Sequence, residues 1–151
     1  MNYEVITGYG MLDDKFYSDK KEHLKIIEDI IARMAGNSFQ LKGWAISLIS
    51  AILVFANLKN ETRFIWIAIL PIIVFWVLDA FYLQLERKYR ELYKKIQQDY
   101  INNTNEVPLF DMNINNIKVC RLFCIMFSRS VVPIYLVILI ATIWIYFSIL
   151  V

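Results

Sequence analysis

Residues 36–58 read GNSFQLKGWAISLISAILVFANL, and this stretch decides the fold. From Ala45 to Leu58 it carries no charge. It reaches the ~20 residues a membrane-crossing helix needs only if it starts near Phe39. Asn57-Leu58-Lys59-Asn60-Glu61-Thr62-Arg63 follows as a tight polar turn. A second apolar run then extends from Phe64 to about Leu85, interrupted by Pro71, which membrane helices tolerate, and by Asp79. A third run, Val131–Val151, is uncharged throughout. Three spans explain why a 151-residue chain is 58% hydrophobic and still 20% charged. The expected fold is therefore an all-α membrane protein with three transmembrane helices.

The polar segments on either side of the first two spans are also helical in pattern. Before the first span, Leu24, Ile27, Ile30, Ile31 and Met34 recur at three- and four-residue steps among Lys, Glu and Asp. After the second, Leu85, Tyr89, Leu92/Tyr93, Ile96 and Tyr100 make one stripe, with Glu86–Arg90 and Glu91–Lys95 as i,i+4 pairs. Two spans joined by a tight turn are antiparallel neighbours, so their extensions form a helical hairpin about 30 Å long (~20 residues at 1.5 Å each). The stripes are wider than one pair of helices needs, which points to further partners. Residues 1–14, with no periodicity and two glycines, read as an irregular arm, and 109–116 as a loop. Residues 117–127 either lie in the membrane interface or lengthen the third span. The resulting segments are an arm and cytosolic amphipathic helix (1–38), a two-span hairpin (39–85), a cytosolic helix, loop and interfacial helix (86–130), and the third span (131–151).

Lys and Arg counts set the orientation. Six precede the first span, two lie in the first turn and eight lie between the second and third spans. The N-terminus and the middle segment are accordingly expected in the cytosol and the C-terminus outside. Trp44 and Trp76 then fall towards the inner interface, Trp66 and Trp144 towards the outer one. The polar, acidic N-terminus lacks the pattern of a cleaved signal peptide.

Catalysis finds no support in the residue inventory. The single histidine, His23, sits on a charged helix and reads as solvated; no metalloprotease, nucleophile-elbow or phosphate-loop pattern is present. Asp13-Asp14 is more simply helix N-terminal charge than a metal site. Cys120 and Cys124, four apart, would share a face if helical, without a second pair for zinc, and read as reduced thiols. A net charge of +2 implies no nucleic-acid partner. No cofactor is expected.

The candidate functional residues lie on the first span. Asn37, Gln40, Gly43, Ser47, Ser50 and Asn57 drift along one helical face. Gly43, Ser47 and Ala51 repeat a small residue every fourth position. Such a face is either a packing seam, because small residues let helices approach closely, or the weakly polar wall of a pore. Asp79, an acid near the inner end of the second span, is either paired structurally with Lys42 or Arg33, or takes part in gating.

Ile31-Ala32-Arg33-Met34-Ala35-Gly36-Asn37-Ser38-Phe39-Gln40-Leu41-Lys42-Gly43-Trp44, with Phe75-Trp76-Val77-Leu78-Asp79-Ala80-Phe81-Tyr82-Leu83, resembles small bacterial membrane proteins of the SLATT type. It is also similar to the octameric membrane proteins that accompany some RNA-targeting CRISPR loci. The Asn-Ser-Phe step into the first span is the most specific part, and the likeness covers roughly residues 15–100. The resemblance implies subunits that assemble into a pore in the bacterial inner membrane. That pore stays closed until a sensor of the same defence system signals infection, and its opening depolarises the cell and stops phage growth. The third span lies outside the minimal two-span pattern, and the Arg/His nuclease-like motif of some relatives is absent. The competing expectation is a non-conducting adaptor whose hairpin recruits a soluble partner.

Overall fold

The structure, a computed structural model, describes residues 3–59, 61–102 and 107–150, with side chains from Lys15 onward. Four helices follow in order: α1 (Tyr3–Lys59), α2 (Arg63–Asn102), α3 (Leu122–Met126) and α4 (Val132–Leu150). No strand occurs among the described residues. Three of the helices are long and apolar enough to cross a membrane. The protein is an all-α membrane protein.

The helix begins at Tyr3, so 3–14 is helical rather than the irregular arm its glycines suggested. Gly8 and Gly10 each weaken a helix by ~1 kcal/mol relative to Ala but do not terminate one. At its other end α1 closes with the Glu61 amide donating to the Ala56 carbonyl at 3.2 Å. This six-residue closure is the Schellman arrangement, which satisfies a carbonyl the helix would otherwise leave open. α2 starts two residues later and runs through Pro71 without interruption. Residues 117–127 do not lengthen the third span: α3 is a separate short helix, and the chain turns through 127–131 before α4 begins.

The chain divides into two compact units. One comprises residues 1–33 and 87–118. Its core is Ile27 of α1 against Leu92 and Ile96 of α2, with Leu24, Ile31, Tyr89 and Tyr93 around them. Val107, Met112, Ile114 and Ile117 of the following loop pack onto the same cluster. The extra width of the apolar stripes is thus taken up in part by the chain's own loop.

The other unit comprises residues 34–86 and 119–151. α1 contributes Ala45, Ile49, Leu53 and Ala56, and α2 contributes Ile65, Ala68, Ile72, Ala80 and Leu83. α4 adds Val131 from just before its start, then Tyr135 and Ile138. The Tyr135 hydroxyl donates to the Phe75 carbonyl at 2.9 Å, and its ring stacks on Trp76 with centroids 6.0 Å apart. Thr142, also buried, returns its hydroxyl to the Ile138 carbonyl, the usual way a membrane helix satisfies this group. Only 28%, 28% and 17% of the most apolar stretches of α1, α2 and α4 are buried, so most of each span faces lipid or another chain.

Candidate functional site

The first span has two distinct faces. Ser38, Leu41, Ala45, Ile49, Leu53 and Ala56 recur at steps of three and four and are all buried. Gln40, Gly43, Ser47, Ser50 and Asn57 are exposed, and Asn37 is half-buried. At 3.6 residues per turn the centre of the exposed set lies ~150° from the centre of the buried set. A Cβ added at Gly43 would meet nothing within 4 Å. The stripe from Gln40 to Ser47 is therefore not a packing seam against the chain's own spans. The close approach of α1 and α2 is made instead by Ala45, Ala56, Ala68 and Ala80, each fully buried.

The exposed stripe does not stay on one surface. Gln40, Gly43 and Ser47 are open, whereas Ser50 turns into a groove of about 410 Å³ bounded by Ile46, Leu53, Pro133, Val137 and Ala141. Nearer the turn, Ser50 and Asn57 border a second hollow with Ala141, Trp144 and Ser148 of α4. The drift seen in the sequence is thus a physical division: an open polar face at one end of the span, a cleft against α4 at the other.

Asp79 is completely buried and ionically paired. Lys42 Nζ lies 2.6 Å from Asp79 Oδ1, and the Ser38 hydroxyl donates to the same oxygen. Lys42 also donates to Ser38 Oγ at 2.8 Å, closing a three-residue cluster. Lys42, not Arg33, is the partner. Lys42 and Ser38 are four residues apart on α1, so one helix face presents both to α2. Asp79 Oδ2 has no hydrogen-bond partner among the described residues. The Asn-Ser-Phe step thus carries a structural role that its residue types alone did not reveal: Ser38 is the second donor to the buried acid.

His23 is the clearest correction to the sequence reading. It is buried at 2% exposure rather than solvated. The Phe110 amide donates to Nδ1 at 3.3 Å, and Nε2 lies 3.2 Å from the Asp111 carbonyl. A backbone amide can only donate and a carbonyl can only accept, so the ring is neutral with its proton on Nε2. Phe110 holds φ at 62°, a left-handed conformation that costs a non-glycine residue about 1–2 kcal/mol. Its ring lies 5.6 Å from the imidazole. His23 therefore pins a strained loop onto the helical hairpin, as a structural residue. His23→Leu is expected to leave both backbone groups unpaired and to destabilise the docked loop by about 1–3 kcal/mol. Hydrogen exchange would show it: the Phe110 amide should exchange about fivefold faster or more, and unchanged protection would contradict the pinning role.

Among the described residues, no group of three or more His, Cys, Asp or Glu side chains could hold a metal ion. Cys120 and Cys124 are free and exposed. No protein family, curated protein or solved structure matches the chain.

Proposed function

We propose that the chain is the subunit of a homo-oligomeric membrane pore that acts as an effector of bacterial antiphage defence, depolarising the inner membrane when triggered. The supporting observation is the open face of α1 at Gln40, Gly43 and Ser47, which the subunit's own packing leaves unused. Amide and hydroxyl groups facing hydrocarbon would forgo hydrogen bonds that water supplies. Several copies arranged around a central axis would turn this face to water, and a pore walled by such groups needs no ring of charge. The Lys and Arg distribution supports an N-terminus in the cytosol and a C-terminus outside. The defence role, the octameric assembly and a sensor partner from the same system follow from the resemblance to SLATT-type proteins.

The Ser38–Lys42–Asp79 cluster joins the first two spans on the side of α1 away from this face. It supports a rigid α1–α2 pair that moves as one body, and Asp79 acts in gating only through that pairing.

Expression in a bacterial host with a potential-sensitive dye tests the reading. Overexpressed well beyond its sensor, so that some assemblies open without the trigger, wild-type protein is expected to depolarise the membrane, and the purified protein to run as one discrete oligomer. A monomer in detergent with no depolarisation would instead favour the adaptor. That second reading draws on the apolar side chains the extramembrane hairpin leaves exposed, Tyr17, Ile101 and Phe110 among them.

A further inference from the structure

α3 and the turn after it combine features that neither water nor hydrocarbon accommodates alone. Leu122, Ile125 and Met126 face inward, with Ile125 fully buried. Phe123 and Phe127 face outward at 72% and 61% exposure, with ring centroids 5.9 Å apart. Arg121 caps the front of the helix, where its carbonyl accepts from the Cys124 and Ile125 amides, and Arg129 lies in the following turn. Both arginines are exposed, and no acidic residue occurs after Asp111 in the sequence. The segment is held against α2 between Trp76 and Gln84. Trp76 Nε1 donates to the Met126 carbonyl at 3.0 Å, the Trp76 ring meets Phe127 edge-on at 5.5 Å, and Gln84 bonds the Cys120 carbonyl.

Water leaves the two rings unsatisfied, and the acyl core would strand two guanidinium groups. Only the interface suits both, with rings among the upper acyl carbons and guanidinium groups at the phosphates. Guanidinium binds phosphate oxygens bidentately, and among the described residues neither Arg121 nor Arg129 is paired with a carboxylate. We propose that α3 with Arg121 and Arg129 is a binding site for anionic phospholipid, which locks the short helix and the start of α4 against the membrane surface. The site requires only that the chain spans a membrane, and it stands whether or not the assembly conducts.

The full chain in nanodiscs of equal phosphatidylglycerol and phosphatidylcholine tests this, with native mass spectrometry counting the lipids retained. The wild type is expected to retain phosphatidylglycerol in clear excess. A basic residue at a membrane surface contributes roughly fivefold in lipid affinity, so Arg121→Gln with Arg129→Gln should cut that preference by about tenfold or more. Arg121→Lys with Arg129→Lys should keep most of it. Lys59→Gln with Arg63→Gln, at the turn between the first two spans, should leave it unchanged. An unaltered preference in the double glutamine variant overturns the proposal, as does an equal loss in the Lys59/Arg63 pair. If the glutamine variant does not fold, the wild type decides. Its preference must collapse in 1 M salt, where charges are screened within about 3 Å, and a preference that survives overturns the site.

Discussion

Lys42→Met is expected to destabilise the protein by about 3–5 kcal/mol. Asp79 is wholly buried, and Lys42 is its only cation within ion-pair distance among the described residues, with just 13% of its own side chain exposed. Removing the ammonium leaves a carboxylate without charge compensation in a low-dielectric seam. Among the described residues the Ser38 hydroxyl would be its sole remaining donor, because Oδ2 already lacks one. Losing one member of a buried pair costs far more than the pair contributes, since separate desolvation of both ions nearly cancels their attraction. Lys42→Met with Asp79→Leu should therefore recover most of the loss, and thermal unfolding in detergent separates it from the single variant. Ser38→Ala should cost about 1 kcal/mol, the value of one hydrogen bond. A single Lys42→Met within about 0.5 kcal/mol of wild type would show that the pair is solvated and not part of the α1–α2 seam.

Gln40→Leu with Ser47→Leu is expected to abolish depolarisation while leaving the subunit folded. Neither side chain belongs to the buried face of α1, so the intramolecular core at Ala45, Ile49 and Leu53 is untouched. Leucine is also the better helix former at an exposed site. In a narrow pore the same two changes, repeated in every subunit, replace the groups that substitute for an ion's water with hydrocarbon and favour dewetting. Conductance in planar bilayers should fall by at least tenfold. Equal conductance in wild type and variant would remove Gln40 and Ser47 from the ion path.

The membrane spans were legible because charge is nearly absent from them, with Lys42 and Asp79 the exceptions. A run such as Ala45–Leu58 has no other stable solution than burial in protein or lipid. The Lys59–Arg63 turn and the loop over 109–116 were legible for the converse reason, as clustered polar residues between periodic segments. The position of His23 could have been read. It falls on the stripe that joins Lys20 to Ile27, and a polar residue on an apolar stripe is buried with partners more readily than its charged neighbours suggest. Those partners are backbone groups 87 and 88 residues away, and no local pattern encodes them. The small-residue argument picked the wrong side of α1. Glycine and serine signal close approach in a membrane, but alanines at 45, 56, 68 and 80 make it here, and alanine is too common in helices to stand out. A short helix in the interface was one reading of 117–127, but the bounds of α3 were not legible because five residues are too few to show a period; contacts from α2, the Trp76 and Gln84 hydrogen bonds among them, set its position.

The central claim is that the face of α1 carrying Ser47 meets water inside an assembly. With Cys120 and Cys124 replaced by serine, single cysteines at Gln40, Gly43 and Ser47 can be offered a charged, membrane-impermeant thiol reagent in intact membranes. The reagent attacks thiolate, and thiolate forms only where water reaches. Modification at all three positions, with none at the lipid-exposed Leu48 or the buried Ile49, is the predicted result. A Ser47 cysteine as inert as one at Leu48 would place this face in lipid and contradict the pore.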